Sequence, residues 1–215
     1  MTSTPNSADD LDARRSALRL ILRERPGADK PDDVPSLVAP FTTPIPGGGS
    51  VTLAPAWYDL IGDLQLRLVR ETPDALLTME VDDVAAMGLA VDAAVALALA
   101  NLERQVGAPT VQPWHNLRRV GTSEEEFDSN WFLDRAFWRA RLAEHPSGLV
   151  VAVPRTDALL FAPADDDAAV ASMRGGIPRL HREAGDWRLS SALFLFKDDR
   201  WSVFQPAVTA RVEAG

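Results

Sequence analysis

The hydrophobic pattern is densest around residues 149–162. There two five-residue apolar blocks, 149–153 and 158–162, flank Pro154-Arg155-Thr156-Asp157. Apolar blocks of strand length bounded by a turn signal predict two buried strands joined in a hairpin. A second hairpin is predicted from residues 192–196 and 201–204, which flank Lys197-Asp198-Asp199-Arg200. Residues 64–68 alternate apolar and polar side chains, the period of a half-buried strand. Residues 75–79 make a weaker strand across the turn Thr72-Pro73-Asp74, and residues 111–120 hold short strand structure around Trp114.

Helical spacing is found elsewhere. Leu11, Leu18, Ile21 and Leu22 predict a helix over 11–25, capped by Asp10, with Arg14, Arg15, Arg19, Arg23 and Glu24 on its other face. Residues 91–106 are rich in alanine and leucine and apolar nearly all round, which predicts a helix buried in the domain. A helix over 130–144 presents Trp131, Phe132, Ala136, Phe137, Trp138 and Leu142. A further helix starts after Asp165-Asp166-Asp167, ends near Gly175-Gly176, and restarts briefly after Pro178.

Between them, residues 26–56 carry seven prolines and Gly47-Gly48-Gly49. Such a stretch is expected to form no regular ladder, although Val34, Leu37, Val38, Phe41 and Ile45 suit packing on the main body. The resulting division is a tail and helix (1–25, with 1–10 disordered), a Pro/Gly-rich connector (26–56), a core domain (57–205) and a loose tail (206–215). Strands arriving as hairpins with helices between them predict an α+β fold, an antiparallel sheet covered by helices on one side.

Composition narrows the function classes. At 46% hydrophobic and 25% charged, the 215 residues suit a soluble globular protein. The net charge of -9 and scattered arginines give no basic footprint for nucleic acid or for an acidic membrane surface. The longest apolar run, 93–100, is too short to span a bilayer, and the first ten residues lack the basic and apolar regions of a secretory signal. A cytoplasmic location is expected. The absence of cysteine removes disulfides, thiolate metal sites and cysteine nucleophiles.

No local motif encodes a reaction. His115, His145 and His181 stand apart, without the spacing of a metal-binding pair. The acidic runs lack the alternation and glycine of a calcium loop, and Pro46-Gly47-Gly48-Gly49-Ser50 lacks the lysine of a phosphate loop. No Gly-x-Ser-x-Gly elbow is present. No catalytic residue, metal or cofactor is therefore assigned.

The candidate binding residues are Arg155 and Asp157, which place a cation and a carboxylate at a sheet end; Trp131, Asp134 and Trp138, spaced i, i+3, i+7 as one helix face; and His115. Each has a structural role beside the functional one: turn chemistry for Arg155 and Asp157, core packing for the tryptophans.

Four segments resemble a bacterial family, the YtpQ-like domain of unknown function. They are Ala100-Asn101-Leu102, residues 128–138 (Asp-Ser-Asn-Trp-Phe-Leu-Asp-Arg-Ala-Phe-Trp), the hairpin around 154–157, and residues 189–194 followed by Trp201. The resemblance spans about residues 60–205. It implies the fold and no activity. Where the family has Pro-Ser-Arg-Asp, this chain has its arginine one place earlier, which on a strand turns it to the opposite face.

The absent motifs favour a non-catalytic protein-binding or adaptor module, with tryptophans as interface anchors. The alternative is a small hydrolase or transferase whose site gathers Arg155, Asp157, Asp134 and His115 in three dimensions.

Overall fold

The apolar hairpin lies at the centre of a six-stranded antiparallel sheet, and its side chains alternate between two cores. The computed structural model describes residues 8–208. In chain order the elements are α1 (Ala8–Ser16), β1 (Leu18–Glu24), β2 (Ser36–Leu37), β3 (Phe41–Pro44), β4 (Ser50–Leu53), β5 (Trp57–Asp59), β6 (Leu64–Glu71), β7 (Leu76–Thr78), α2 (Val81–Ala86), α3 (Val91–Val106), β8 (Thr110–Trp114) and β9 (Leu117–Gly121). A 3-10 helix (Glu125–Leu133) then leads to α4 (Arg135–Glu144), β10 (Leu149–Arg155), β11 (Ala158–Pro163), α5 (Asp167–Glu183), a 3-10 turn (Gly185–Trp187), β12 (Leu193–Lys197) and β13 (Arg200–Gln205).

The fold is α+β, with antiparallel pairing in every sheet. One sheet runs β13-β12-β10-β11-β9-β8; a second runs β1-β6-β5-β2, with β7 also on β6; β3 and β4 form a separate two-stranded ribbon. Leu149, Val151 and Val153 of β10 face a core shared with Leu18, Leu20, Leu22, Leu66 and Leu68 of the second sheet and with Trp131, Phe132 and Trp138. Val150 and Ala152 face the opposite way, under Ala169, Val170, Met173 and Ile177 of α5. A strand covered on both faces reads as a continuous apolar run. α5 thus covers one side of this sheet, and the second sheet with Trp131, Phe132 and Trp138 covers the other.

Four expectations are corrected. The helix expected over 11–25 ends at Ser16, and β1 pairs with β6 from Leu18↔Arg70 to Glu24↔Leu64. Leu18, Leu20 and Leu22 are buried at period two, so residues 18–24 belong to the sheet and not to a preceding segment. The connector does hold ladders: β2 pairs with β5, and β3 with β4 around a turn in which Gly47, Gly48 and Gly49 all have positive φ. Its apolar side chains are only partly packed, with Val34 66% exposed. α5 runs unbroken through Gly175-Gly176 and Pro178, because Met173 and Ile177 pack on the sheet. Finally, Ala8–Asp10 are helical; residues 1–7 of the expected disordered stretch and 209–215 of the expected tail lie outside the described residues.

β1 is an edge strand, and its open side is closed by side chains. The buried Asn101 of α3 donates through Nδ2 to the Arg15 carbonyl (2.8 Å) and the Leu18 carbonyl (2.9 Å). Asn130 donates to the Leu20 carbonyl (3.1 Å). Replacing Asn101 with alanine should cost about 2 kcal/mol, the scale of buried acceptors left without donors. A urea-unfolding midpoint that does not move would show that Asn101 does not secure this edge.

Among the described residues, no helix is long and apolar enough to cross a membrane.

Candidate functional site

The segment between β9 and β10 is shaped by two aspartates. Asp128, fully buried, accepts from the Thr122 amide (2.8 Å), the Thr122 hydroxyl (3.1 Å) and Arg119 Nη2 (3.1 Å). Burial pushes its carboxyl up, and the bonds from Thr122 and Arg119 offset only part of that. This ties the 3-10 helix to β9. Asp134 then ends the 3-10 helix and caps α4, accepting from the Ala136 (3.0 Å) and Phe137 (3.1 Å) amides.

The helix expected over 130–144 is therefore two elements joined at Asp134, and Trp131, Asp134 and Trp138 do not form one helical stripe. Trp138 is wholly buried, with its indole N–H donating to the Trp131 (3.0 Å) and Phe132 (3.1 Å) carbonyls. That bond fixes the kink between the two helices. Trp131 and Asp134 instead line a groove.

The groove has a volume of about 750 Å³ and lies between α3 and residues 131–136. Leu60, Ile61, Leu66, Val95, Leu99, Trp131, Phe132 and Trp201 supply its apolar lining. Phe132 and Trp201 stack there, with ring centroids 4.2 Å apart. The Trp131 indole N–H is buried without a hydrogen-bond partner. Two of the charged groups at the rim are already bound. Asp33 accepts from Arg135 and from the Trp201 amide (2.9 Å), and Arg135 also donates to the Asp199 carbonyl (2.7 Å). Asp92 and Glu103 on α3 make no ion pair among the described residues. The rim is consequently acidic.

The remaining sequence candidates lie elsewhere. Arg155 and Asp157 close on each other in a two-pronged ion pair at the β10–β11 turn. Burial pushes the Asp157 carboxyl up, but Arg155 and Arg119 outweigh it and hold the carboxyl below its ordinary value. His115 sits in the β8–β9 turn at φ 52°, edge-on to Trp114 at 4.9 Å. Arg155 with Asp157, Asp134 and His115 are each engaged on a different element, and the structure does not gather them.

Leu60, Ile61, Val95 and Leu99 were not singled out from the sequence, and Trp201 was marked only as part of the family resemblance. One signal was available for α3. A helix apolar nearly all round has a face left over after packing on one sheet, and Val95, Ala96 and Leu99 are on that face. The Leu60, Ile61 and Trp201 contributions depend on long-range register and carry no local mark.

No family model, curated protein or solved structure matches the chain.

Proposed function

We propose that the chain is a soluble, cytoplasmic, non-catalytic protein-binding module that holds an apolar segment of a partner in the α3 groove. The state of the rim carries this reading. Asp33, Asp134 and Arg135 are consumed in holding the fold, so among the described residues no free cation faces the groove. What is left is an apolar trough with the carboxylates of Asp92 and Glu103 at its edge. That combination suits apolar anchors flanked by lysine or arginine, with the tryptophans as the buried contact. Membership of the YtpQ-like family belongs to the same proposal and rests on the four segments alone.

The test is a selection from a displayed random-peptide library on the full chain and on Ala96→Arg. Ala96 is exposed and lines the groove, so the variant obstructs the groove and spares the core. Selected peptides should carry apolar anchors with basic flanks and bind Ala96→Arg at least about tenfold more weakly, equivalent to about 1.4 kcal/mol. Peptides that bind both proteins equally, or no enrichment, would overturn the reading.

A further inference from the structure

The outer face of the five-stranded sheet carries a feature the groove does not use. On that face Ile21 is opposite Arg67, Arg23 is opposite Gln65, Trp57 is opposite Arg67, and Asp59 is opposite Gln65. Arg23 and Arg67 are thus diagonal neighbours across two strands, within reach of each other's long side chains. Both are half-buried. The other arginines of this face have acids: Arg19 pairs with Glu71 and Arg25 with Asp59. Arg23 and Arg67 have none among the described residues. The chain has 31 acidic and 22 basic residues, so two adjacent cations without a carboxylate are not explained by a shortage of acids.

Their placement is fixed. The Arg67 guanidinium stacks 4.0 Å from the Trp57 ring centroid and donates through Nε to Gln65 Oε1 (2.8 Å). Arg23 donates through Nη1 to the Leu22 carbonyl (2.9 Å). Burial lowers both groups, and the charge of Arg23 lowers Arg67 further. A stacked guanidinium keeps its edge N–H groups available for in-plane bonds to an oxyanion. Arg23 also lines a groove of about 350 Å³ with Ile21, Phe127 and Trp187, where the apolar part of an organic anion would fit. Glu126 and Asp186 line the same groove, and Arg23 is the cation among its described lining residues, so a negative group is directed to Arg23.

We propose that Arg23 and Arg67 form a binding site for a small organic oxyanion, a carboxylate or a phosphate, on the outer face of the five-stranded sheet. The anion neutralises the pair and removes their mutual repulsion.

The test is the thermal midpoint of the full chain as sodium chloride is replaced, at constant ionic strength, by sodium phosphate or by sodium malonate. The expected result is a saturable rise with at least one anion, and the anion that produces it separates phosphate from carboxylate recognition. Arg23→Gln and Arg67→Gln should each weaken the apparent affinity at least about tenfold, while Arg70→Gln, exposed on β6, should leave it unchanged. Circular dichroism of the variants checks that they are folded, and calorimetric titration of wild type gives the stoichiometry. A response equal to that of chloride, or one retained when both arginines are replaced, would overturn the proposal.

Discussion

Replacing Trp138 with alanine is expected to destabilise the fold by about 3–5 kcal/mol, the range for a large aromatic removed from a packed core. Trp138 is fully buried and meets Phe137, Phe161 and Trp201 edge-on, with centroids 5.0, 5.6 and 5.4 Å away. Its loss opens a cavity behind the groove and frees the Trp131 and Phe132 carbonyls that receive its N–H. A domain of this size has about 5–15 kcal/mol in total, so urea unfolding should show a large fall in midpoint. Trp138→Phe separates the two contributions. It keeps most of the packing and loses the two-acceptor hydrogen bond, so it should cost about 1–3 kcal/mol. Equal losses in both variants would place the whole effect in the hydrogen bond. The groove should suffer as well, because Trp131, Phe132 and Trp201 are held by this side chain. Peptides selected on wild type should bind Trp138→Phe more weakly than their unchanged contacts imply.

The elements that could be read from the chain are those whose burial pattern has one explanation. The two strand segments 149–153 and 158–162 are apolar at every position because both faces are covered, and five residues on either side of a turn are too short for helices. α3 was legible over its whole length, 91–106, because alanine and leucine agree with its packing. β1 was misread for a definable reason. Leu18 and Leu22 are spaced by four, which satisfies a helix and a strand equally, and Ile21 completes a helical face. Leu20, between Arg19 and Ile21, is what marks the strand, and its partner Leu68 is 48 positions away. α5 was cut short by Gly175, Gly176 and Pro178, whose helix penalties are about 1 and 3 kcal/mol. Two of its buried residues, Met173 and Ile177, bracket the two glycines on one face, and their burial outweighs the local preference.

The candidate site was legible only in part, because its walls come from five separate stretches. Trp131 and Asp134 were marked together on the premise of a single helix that Asp134 in fact interrupts. The premise failed because Asp134 serves as a cap, a role that its position before Arg135-Ala136-Phe137 permits and that an uninterrupted apolar spacing conceals. Arg155 and Asp157 attracted notice as charges within an apolar run. The structure uses them on each other. Conversely, Arg23 and Arg67 were placed on a helix face and within a strand, and nothing in their local sequence indicates that the sheet sets them side by side.

Replacing Asp63 with asparagine is expected to stabilise the protein by up to about 3 kcal/mol at neutral pH, and by progressively less as the pH is lowered. Asp63 precedes β6 in the turn after β5, is 3% exposed, and accepts a hydrogen bond from the buried Ser190 hydroxyl. Burial pushes its carboxyl up from 3.8 to about 6; the Ser190 bond opposes the rise, and Glu24 and Asp29 reinforce it. Between those two values the native state holds the proton more tightly than the unfolded chain. The unfolded chain therefore binds fewer protons there, and stability falls as pH rises from about 4 to about 6. A tenfold change in proton affinity corresponds to about 1.4 kcal/mol, and the rise from 3.8 to about 6 is roughly a hundredfold change, which gives the upper figure. Asparagine keeps the acceptor for Ser190 and removes the charge. His181 acts in the opposite direction in an overlapping range. Burial is the main cause that lowers it, Arg188 lowers it too, and Glu24, 3.2 Å away, opposes them. It consequently costs stability as pH falls below its ordinary 6.5. Because His181 titrates in both proteins, the difference between Asp63→Asn and wild type isolates Asp63. Unfolding free energies measured by urea at pH 4, 5, 6, 7 and 8 should give a difference near zero at pH 4 that grows to a plateau above pH 7. An offset of constant size across that range would assign the effect to packing in the turn rather than to a charge held out of water.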